Sequence, residues 1–376
     1  PPPPPPPPPP PRLNCRRQRQ MCIRDSWYGT KPRQAVETAR QQVAGILNCQ
    51  PTEVFFTSGG TESNNHAIRG IAQRMQAKGN HIITSQFEHP AVLEVCRHLA
   101  KEGYETSYLP VGSDGLVDPA DVQRALRPTT ILITIMHANN EVGTIQPIAD
   151  ISRIARMHGV AMHTDAAQSL GKILTDVNQL KVDLLSVAGH KVYAPKGIGA
   201  LYVRPPLVPE KFCHGAGQEM GRRAGTENVL AIVGLGKACE IARRDLDKNM
   251  AHMKFLRDRL HQGLLGRLTD IRLNGHLQDR LPNTLSIAFK GLAANRLLKE
   301  FGPEVAASAG AACHADTVEI SHVLKAMAIP VEWAKGTIRF SLGKMTTKAE
   351  IDKTIRVVAA AVDKQIVSGP TNKGKD

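Results

Sequence analysis

The sequence predicts an α/β protein in which a large domain, with a mostly parallel sheet between helices, is followed by a smaller α+β domain. Three observations predict it. Short apolar runs alternate with helical stretches of ten or more residues between Pro32 and about residue 203, the pattern of strand, helix, strand units with a sheet covered on both faces. Polar clusters follow the strands where their carboxyl ends would lie. Beyond a long helical stretch the alternation gives way to a mixed order of strands and helices with no internal repeat. With 376 residues and 41% apolar content, the chain can bury one large core and one smaller one.

The elements follow in order. A helical pattern over 33–47 precedes the strand EVFFT (53–57), and Gly59 and Gly60 then turn the chain into a helix from about Glu62. HIITS (81–85) is a β-branched run, Pro90 suits the first turn of the next helix, and a strand ends near Leu109. The unit repeats with ILITIM (131–136), a helix over 147–158, VAMHT (160–164), LLSV (184–187) and ALYV (200–203). A helical stretch over 226–264 leads to the strand TLSIAF (284–289), a helix over 293–300 and a Gly and Ala loop around 308–312. A helix over 320–328, the strand GTIRFS (336–341) and a helix over 347–364 complete the chain. The expected domains are residues 27–245 and 246–376. Residues 1–26, eleven prolines and then an arginine-rich stretch with no apolar period, are expected to be a disordered, non-native segment.

Composition narrows the function classes. The net charge of +14 comes from 48 Lys and Arg against 34 Asp and Glu, but much of the excess sits in residues 12–24 and the rest is interspersed with acids. With aromatic residues at 4%, there is little to build a stacking platform, so no nucleic-acid partner is expected. Seven cysteines without CxxC pairs fit a reducing, cytoplasmic compartment better than a disulfide framework or a metal site, and no metal is expected. No run is long enough to suggest a membrane span.

Four polar clusters fall on one predicted sheet edge. FTSGGTESNN (56–65) places Gly60 and Thr61 at a strand to helix turn, where free backbone N–H groups attract phosphate. HANNEVGT (137–144) and HTDAAQ (163–168) end the next central strands, and Asp165, just beyond a buried strand, requires a cationic partner. DLLSVAGHKVYAPKGIGALYV (183–203) carries Lys191 and Lys196 between two buried strands, either a solvated charge or an amine placed for chemistry. An acid for a protonated pyridine nitrogen, a lysine to condense with an aldehyde, a phosphate turn and neighbouring histidines are the requirements of pyridoxal 5'-phosphate.

TSGGTESNN, EHPAV, HANNEVGTIQPI, HTDAAQSLGK, AGHKVYAPKGIGALY, GRRAGTEN, SAGAACH and IRFSLG together resemble the cysteine desulfurase and selenocysteine lyase family, pyridoxal phosphate enzymes of the class V aminotransferase fold (fold type I). The match runs in order from about Tyr28 to the last helix. The resemblance makes Lys191 the lysine that links to the cofactor and leaves Lys196 as a loop lysine. It implies that Asp165 pairs with the pyridine nitrogen, Gln168 bonds the ring hydroxyl, His89 stacks on the ring, and Asn140 reaches the ring oxygen or substrate. Gly60, Thr61 and His190 would hold the phosphate, with Thr226 supplied by the partner of a homodimer. Arg339 would bind the substrate carboxylate, a task suited to a planar bidentate donor.

By the same resemblance, Cys313, in the small-residue run ASAGAACHAD, attacks the sulfur or selenium of the bound amino acid. The remaining cysteines are expected only to pack. The implied reaction converts L-cysteine to L-alanine and leaves a persulfide on Cys313, with passage to an acceptor protein. The alternatives are an L-selenocysteine lyase and an inactive, truncated scaffold or dimer partner. Residues 1–26 carry neither D-N-x-A-T-T-P nor N-P-S-S, with which the family begins, and Ala188 stands where a phosphate-binding serine is frequent. The selenocysteine lyases are similar in lacking that hydroxyl and in GAACHAD; KGIGALY and the compact stretch from Cys313 to Val323 are typical of bacterial desulfurases.

Overall fold

A computed structural model describes residues 29–314 and 317–368, without the side chains of 311–319 and 368. The expected segment 1–26 lies outside the described residues.

The first half of the chain runs α1 (Thr30–Leu47), β1 (Val54–Thr57), α2 (Gly60–Arg74), β2 (His81–Ser85), α3 (Pro90–Lys101), β3 (Glu105–Leu109), α4 (Pro119–Ala125), β4 (Thr130–Thr134) and α5 (Ile148–Met157). It continues through β5 (Ala161–Asp165), α6 (Val177–Leu180), β6 (Leu184–Ala188), β7 (Gly199–Val203) and α7 (Val229–Arg244). These strands form a seven-stranded sheet in the order β1-β7-β6-β5-β4-β2-β3. The run from β6 to β3 is parallel, and β7 lies antiparallel to both β6 and β1. The mostly parallel sheet expected from the alternation is therefore present.

Period-two alternation divides neighbouring side chains between two cores. Phe56, Leu185 and Tyr202 pack on the face covered by α1, α5 and α7. Phe55, Leu184 and Leu201 pack on the other, against α2 and α3. Both faces are thereby dry, which leaves the strand ends as the place where polar residues can gather.

The second half comprises α8 (Leu246–Leu265), β8 (Ile271–Asn274), β9 (Thr284–Phe289), α9 (Ala294–Phe301), β10 (Ser308–Ala309), β11 (Ala311–His314), β12 (Thr317–Ile320), α10 (His322–Ala326), α11 (Val331–Ala334), β13 (Thr337–Ser341) and α12 (Lys348–Ser368). An antiparallel sheet β10-β13-β9-β8 packs Leu285, Ile287 and Phe340 against Leu256 and Leu260 of α8 and Val358 of α12, forming a separate core.

Several elements differ from the sequence expectation. The helical stretch over 226–264 is two helices, broken at Asp245, whose φ of −103° and ψ of 12° leave the α region without a Gly or Pro to announce it. The Gly and Ala loop at 308–312 is extended, and β11 and β12 form a two-stranded hairpin that takes the start of the expected helix at 320. β8 escaped notice although Ile271 and Leu273 alternate with Arg272 and Asn274, because four residues are too few for the alternation to stand out.

Candidate active site

The carboxyl ends of the parallel strands open into a cavity of about 250 Å³, lined by Gly60, Thr61, Asn64, His89, Met136, Asn140, Asp165, Gln168, Ala188, His190, Lys191 and, from β13, Arg339. Every expected site residue is therefore gathered in one place except Thr226 and Cys313. Thr226 is exposed and does not line the cavity. The backbone of Cys313 lies in β11, paired with Val318, and its side chain lies outside the described residues.

The helix α2 provides an anion cradle. Its first intrahelical bond joins Ser63 N–H to Gly59 O, so the amides of Gly60, Thr61 and Glu62 are left to other partners. Gly59 stands at φ 155° and ψ −179°, a conformation essentially confined to glycine. Gly199 of β7 is equally constrained, because a Cβ there would come within 2.7 Å of the Gly59 Cα. Ala188 closes this side, and a Cβ on Gly60 would sit 3.1 Å from its methyl group.

Asp165 ends β5 at only 6% exposure. Its Oδ2 accepts from Asn64 Nδ2 at 2.7 Å and its Oδ1 from the Ala167 N–H at 2.8 Å. Burial raises its pKa above the usual carboxylate value, opposed by the Ala167 and Asn64 bonds and by His89. No lysine or arginine pairs with it among the described residues, so a buried carboxylate faces the cavity with neutral donors only. A protonated ring nitrogen would supply the missing charge.

His89 is the N-cap of α3, its Nδ1 accepting from the Ala91 N–H at 3.1 Å, so in the neutral ring Nε2 carries the proton. The preceding Glu88 is wholly buried. Its carboxyl accepts from the Met136 N–H and from Ser85 Oγ at 2.7 Å, fastening the His89 turn to the end of β4. Asn139 shapes the adjacent turn by donating to Phe87 O and accepting from the Glu141 and Val142 amides, which presents Asn140 to the cavity.

Lys191 sits in the 3₁₀ turn Gly189–Val192 after β6. Partial desolvation, then the charge of Arg339, lower its pKa below the ordinary lysine value. Such an amine is readier to act as a nucleophile than a solvated one. Lys196 is exposed and does not line the cavity. Arg339 reaches in from β13, where Nη1 donates to Asn140 O at 2.8 Å and Nη2 to Ser308 Oγ at 3.2 Å, while Nε has no partner. Among the described residues it pairs with no carboxylate, so its charge is available to an anionic ligand.

Two contributors escaped the sequence reading. Asn64 stands one helical turn after Gly60 and so shares its face, a spacing that could have marked it. Lys172, four residues after Gln168, donates to both oxygens of that glutamine. Burial pushes the thiols of Cys49, Cys96 and Cys239 up to about 12, consistent with their packing role. Among the described residues no group of His, Cys, Asp and Glu is arranged to hold a metal ion, and no helix is long and apolar enough to cross a membrane.

The donor set fits pyridoxal phosphate: an amide cradle for phosphate, an orphaned carboxylate for the ring nitrogen and a lysine of lowered pKa. The class-V aminotransferase family model matches residues 24–354. The chain is 46% identical over 338 residues to the cysteine desulfurase IscS of Dictyoglomus turgidum, covering 90% of this chain and 86% of that protein. It is 45% identical over 337 residues to the IscS of Klebsiella pneumoniae, covering 89% and 83%. Among solved structures, a NifS-like protein superposes with a TM-score of 0.86 at 34% identity over 93% of this chain and 94% of its own. SspA in complex with cysteine gives 0.74 at 37%, covering 86% and 91%. The chain belongs to the class-V aminotransferase family, within its cysteine desulfurase branch.

Proposed function

We infer that this protein is a pyridoxal phosphate-dependent cysteine desulfurase that converts L-cysteine to L-alanine and keeps the sulfur as a persulfide on Cys313. The observation that carries the reading is the convergence of Lys191, Asp165 and Arg339 on one cavity, in a chain 46% identical to a cysteine desulfurase. When bound, the cofactor supplies an electron sink for bonds at the substrate's α-carbon.

The chain's own residues then have distinct tasks. Lys191 would hold the cofactor aldehyde and is the cavity amine available to move a proton at the substrate's α-carbon. Asp165 keeps the ring nitrogen protonated by being an anion that has no other cation. Gly60, Thr61 and His190 take the phosphate, His89 covers the ring, and Gln168 and Asn140 address the ring oxygen. Arg339 would bind the substrate carboxylate and so orient the substrate in the cavity. The Cys313 thiolate attacks the substrate sulfur; the new S–S bond forms as the C–S bond breaks, and the carbon takes a proton to become alanine.

The reading extends to a homodimer, supported by Thr226, which is exposed on its own chain although the family resemblance gives it a phosphate contact. Two composite sites then follow from the two-fold axis. It also includes a cytoplasmic location, a sulfur acceptor protein and a domain boundary between residues 245 and 246, where α7 ends and α8 begins. L-Selenocysteine is a second proposed substrate, supported by Ala188 in the phosphate wall.

The test is turnover with borohydride trapping. Native protein loaded with pyridoxal phosphate should release alanine from L-cysteine, and reduction should fix the cofactor to the Lys191 peptide. Lys191→Ala should lose both. Alanine release by Lys191→Ala, or trapping on Lys196, would refute the assignment.

A further inference from the structure

Gln168 has an amide that could face the cavity with either its oxygen or its nitrogen, and the two choices have opposite consequences for a ring oxygen. An oxygen acceptor repels an anionic ring oxygen, whereas an N–H donor stabilises it. The structure contains a device that makes the choice. Lys172 lies four residues after Gln168 in the turns that follow β5, and its Nζ is 2.9 Å from the Gln168 carbonyl oxygen and 3.0 Å from Oε1. In its protonated form Lys172 has donors only, so the side-chain atom turned towards it is then the oxygen. The NH₂ is then the group left for the cavity.

We propose that Lys172 is a positioning residue for the cofactor: by holding Oε1 of Gln168 it aims the amide donor at the ring oxygen, and its charge biases the protonation of the Lys191 linkage beside it. This rests on the pyridoxal phosphate reading above.

The surroundings support it. Lys172 and Lys191 share the wall of a second, smaller cavity of about 70 Å³ behind the active site. The titratable groups facing Lys172 are His190 and Lys191 from the 3₁₀ turn, Tyr193 at its end and Lys344 from the segment before α12. α7 and α8 present Ala238, Ile241, Ala242, Asn249 and Met253 to that cavity, none of them charged. Among the described residues no carboxylate pairs with Lys172. A buried amine with no counter-ion is costly to retain for packing alone, because a methionine of similar shape fills the same space without desolvating a charge. Burial, then the charge of Lys191, brings its pKa down to about 7.

The experiment is an absorbance titration of the bound cofactor in native protein, Lys172→Met and Lys172→Arg. Losing the donor to the ring oxygen and losing the neighbouring positive charge both favour the protonated linkage. Lys172→Met should therefore raise the midpoint by about one pH unit, and Lys172→Arg should stay near the native value. Since the lysine acts partly through the glutamine, the shift should be smaller in a Gln168→Ala background. If Lys172→Met does not fold, Lys172→Gln, which removes the charge, reads the same midpoint. A midpoint unchanged or lowered in a variant that still binds cofactor would overturn the proposal, as would equal shifts with and without Gln168. A native chain with no cofactor band would remove the cofactor reading itself, and the inference with it.

Discussion

Gly199→Ala places a methyl group where three backbone atoms already stand. The new Cβ would meet Val187 O at 2.5 Å, Gly59 Cα at 2.7 Å and Gly59 C at 2.8 Å. Ordinary contact begins near 3.4 Å, so the Gly59 turn must retreat from β7 by about 0.7 Å or β7 must leave its register with β6. Neither neighbour is a flexible side chain, which puts the cost towards the upper end of the usual overpacking range of about 1–3 kcal/mol. The turn that moves is the one that presents the amides of α2, so the damage reaches the phosphate cradle as well as the sheet. The expected outcome is a fall in the cofactor-free melting temperature by several degrees and weaker cofactor binding, about tenfold, measured by absorbance titration. Gly266→Ala is the control: its Cβ meets only Gln262 O at 3.5 Å, and the change should stay within about 0.5 kcal/mol. A Gly199→Ala protein with native cofactor affinity would refute the claim that this contact sets the cradle.

Two further outcomes follow from the same geometry. Glu88 is buried and its pKa is pushed up to about 8, first by desolvation, so the folded chain holds a proton that the unfolded chain releases near 4.5. Its stabilising contribution is complete below about pH 4.5 and declines as pH rises to about 8, by on the order of 4 kcal/mol at most. Glu88→Gln should flatten that decline in urea unfolding compared at about pH 5 and pH 8; a parallel decline would contradict it. Asn64→Leu removes the donor to Asp165 Oδ2 and should weaken cofactor binding by about 1.5–3 kcal/mol. Calorimetric titration with pyridoxal phosphate reads this, and unchanged affinity would show that Asp165 is oriented by other means.

The sheet was legible because both its faces are buried: apolar runs such as HIITS and ILITIM have few alternatives once helices alternate with them. The cavity was legible for a related reason. Polar residues cannot occupy a sheet dry on both sides, so GGT, HANN, HTDAAQ and GHK had to collect at the strand ends. What stayed hidden depends on pairing across space. Asn64 is one of two adjacent asparagines on an exposed-looking helix start, and only the fold shows which one meets Asp165. Lys172 reads as a surface lysine until its amine is seen against Gln168. The break at Asp245 carries no Gly or Pro to announce it, and the strand pairing of β11 with β12 depends on partners that the sequence does not name.

The central claim is that sulfur leaves L-cysteine for Cys313, and a single-turnover experiment tests it most directly. Protein loaded with pyridoxal phosphate is mixed with one equivalent of L-cysteine, quenched with a thiol-blocking reagent, digested and examined by mass spectrometry while free alanine is measured. The account predicts alanine in step with persulfide on the peptide containing Cys313, and neither product in Cys313→Ser. Alanine formed with free sulfide and no label on Cys313, or undiminished turnover by Cys313→Ser, would contradict it.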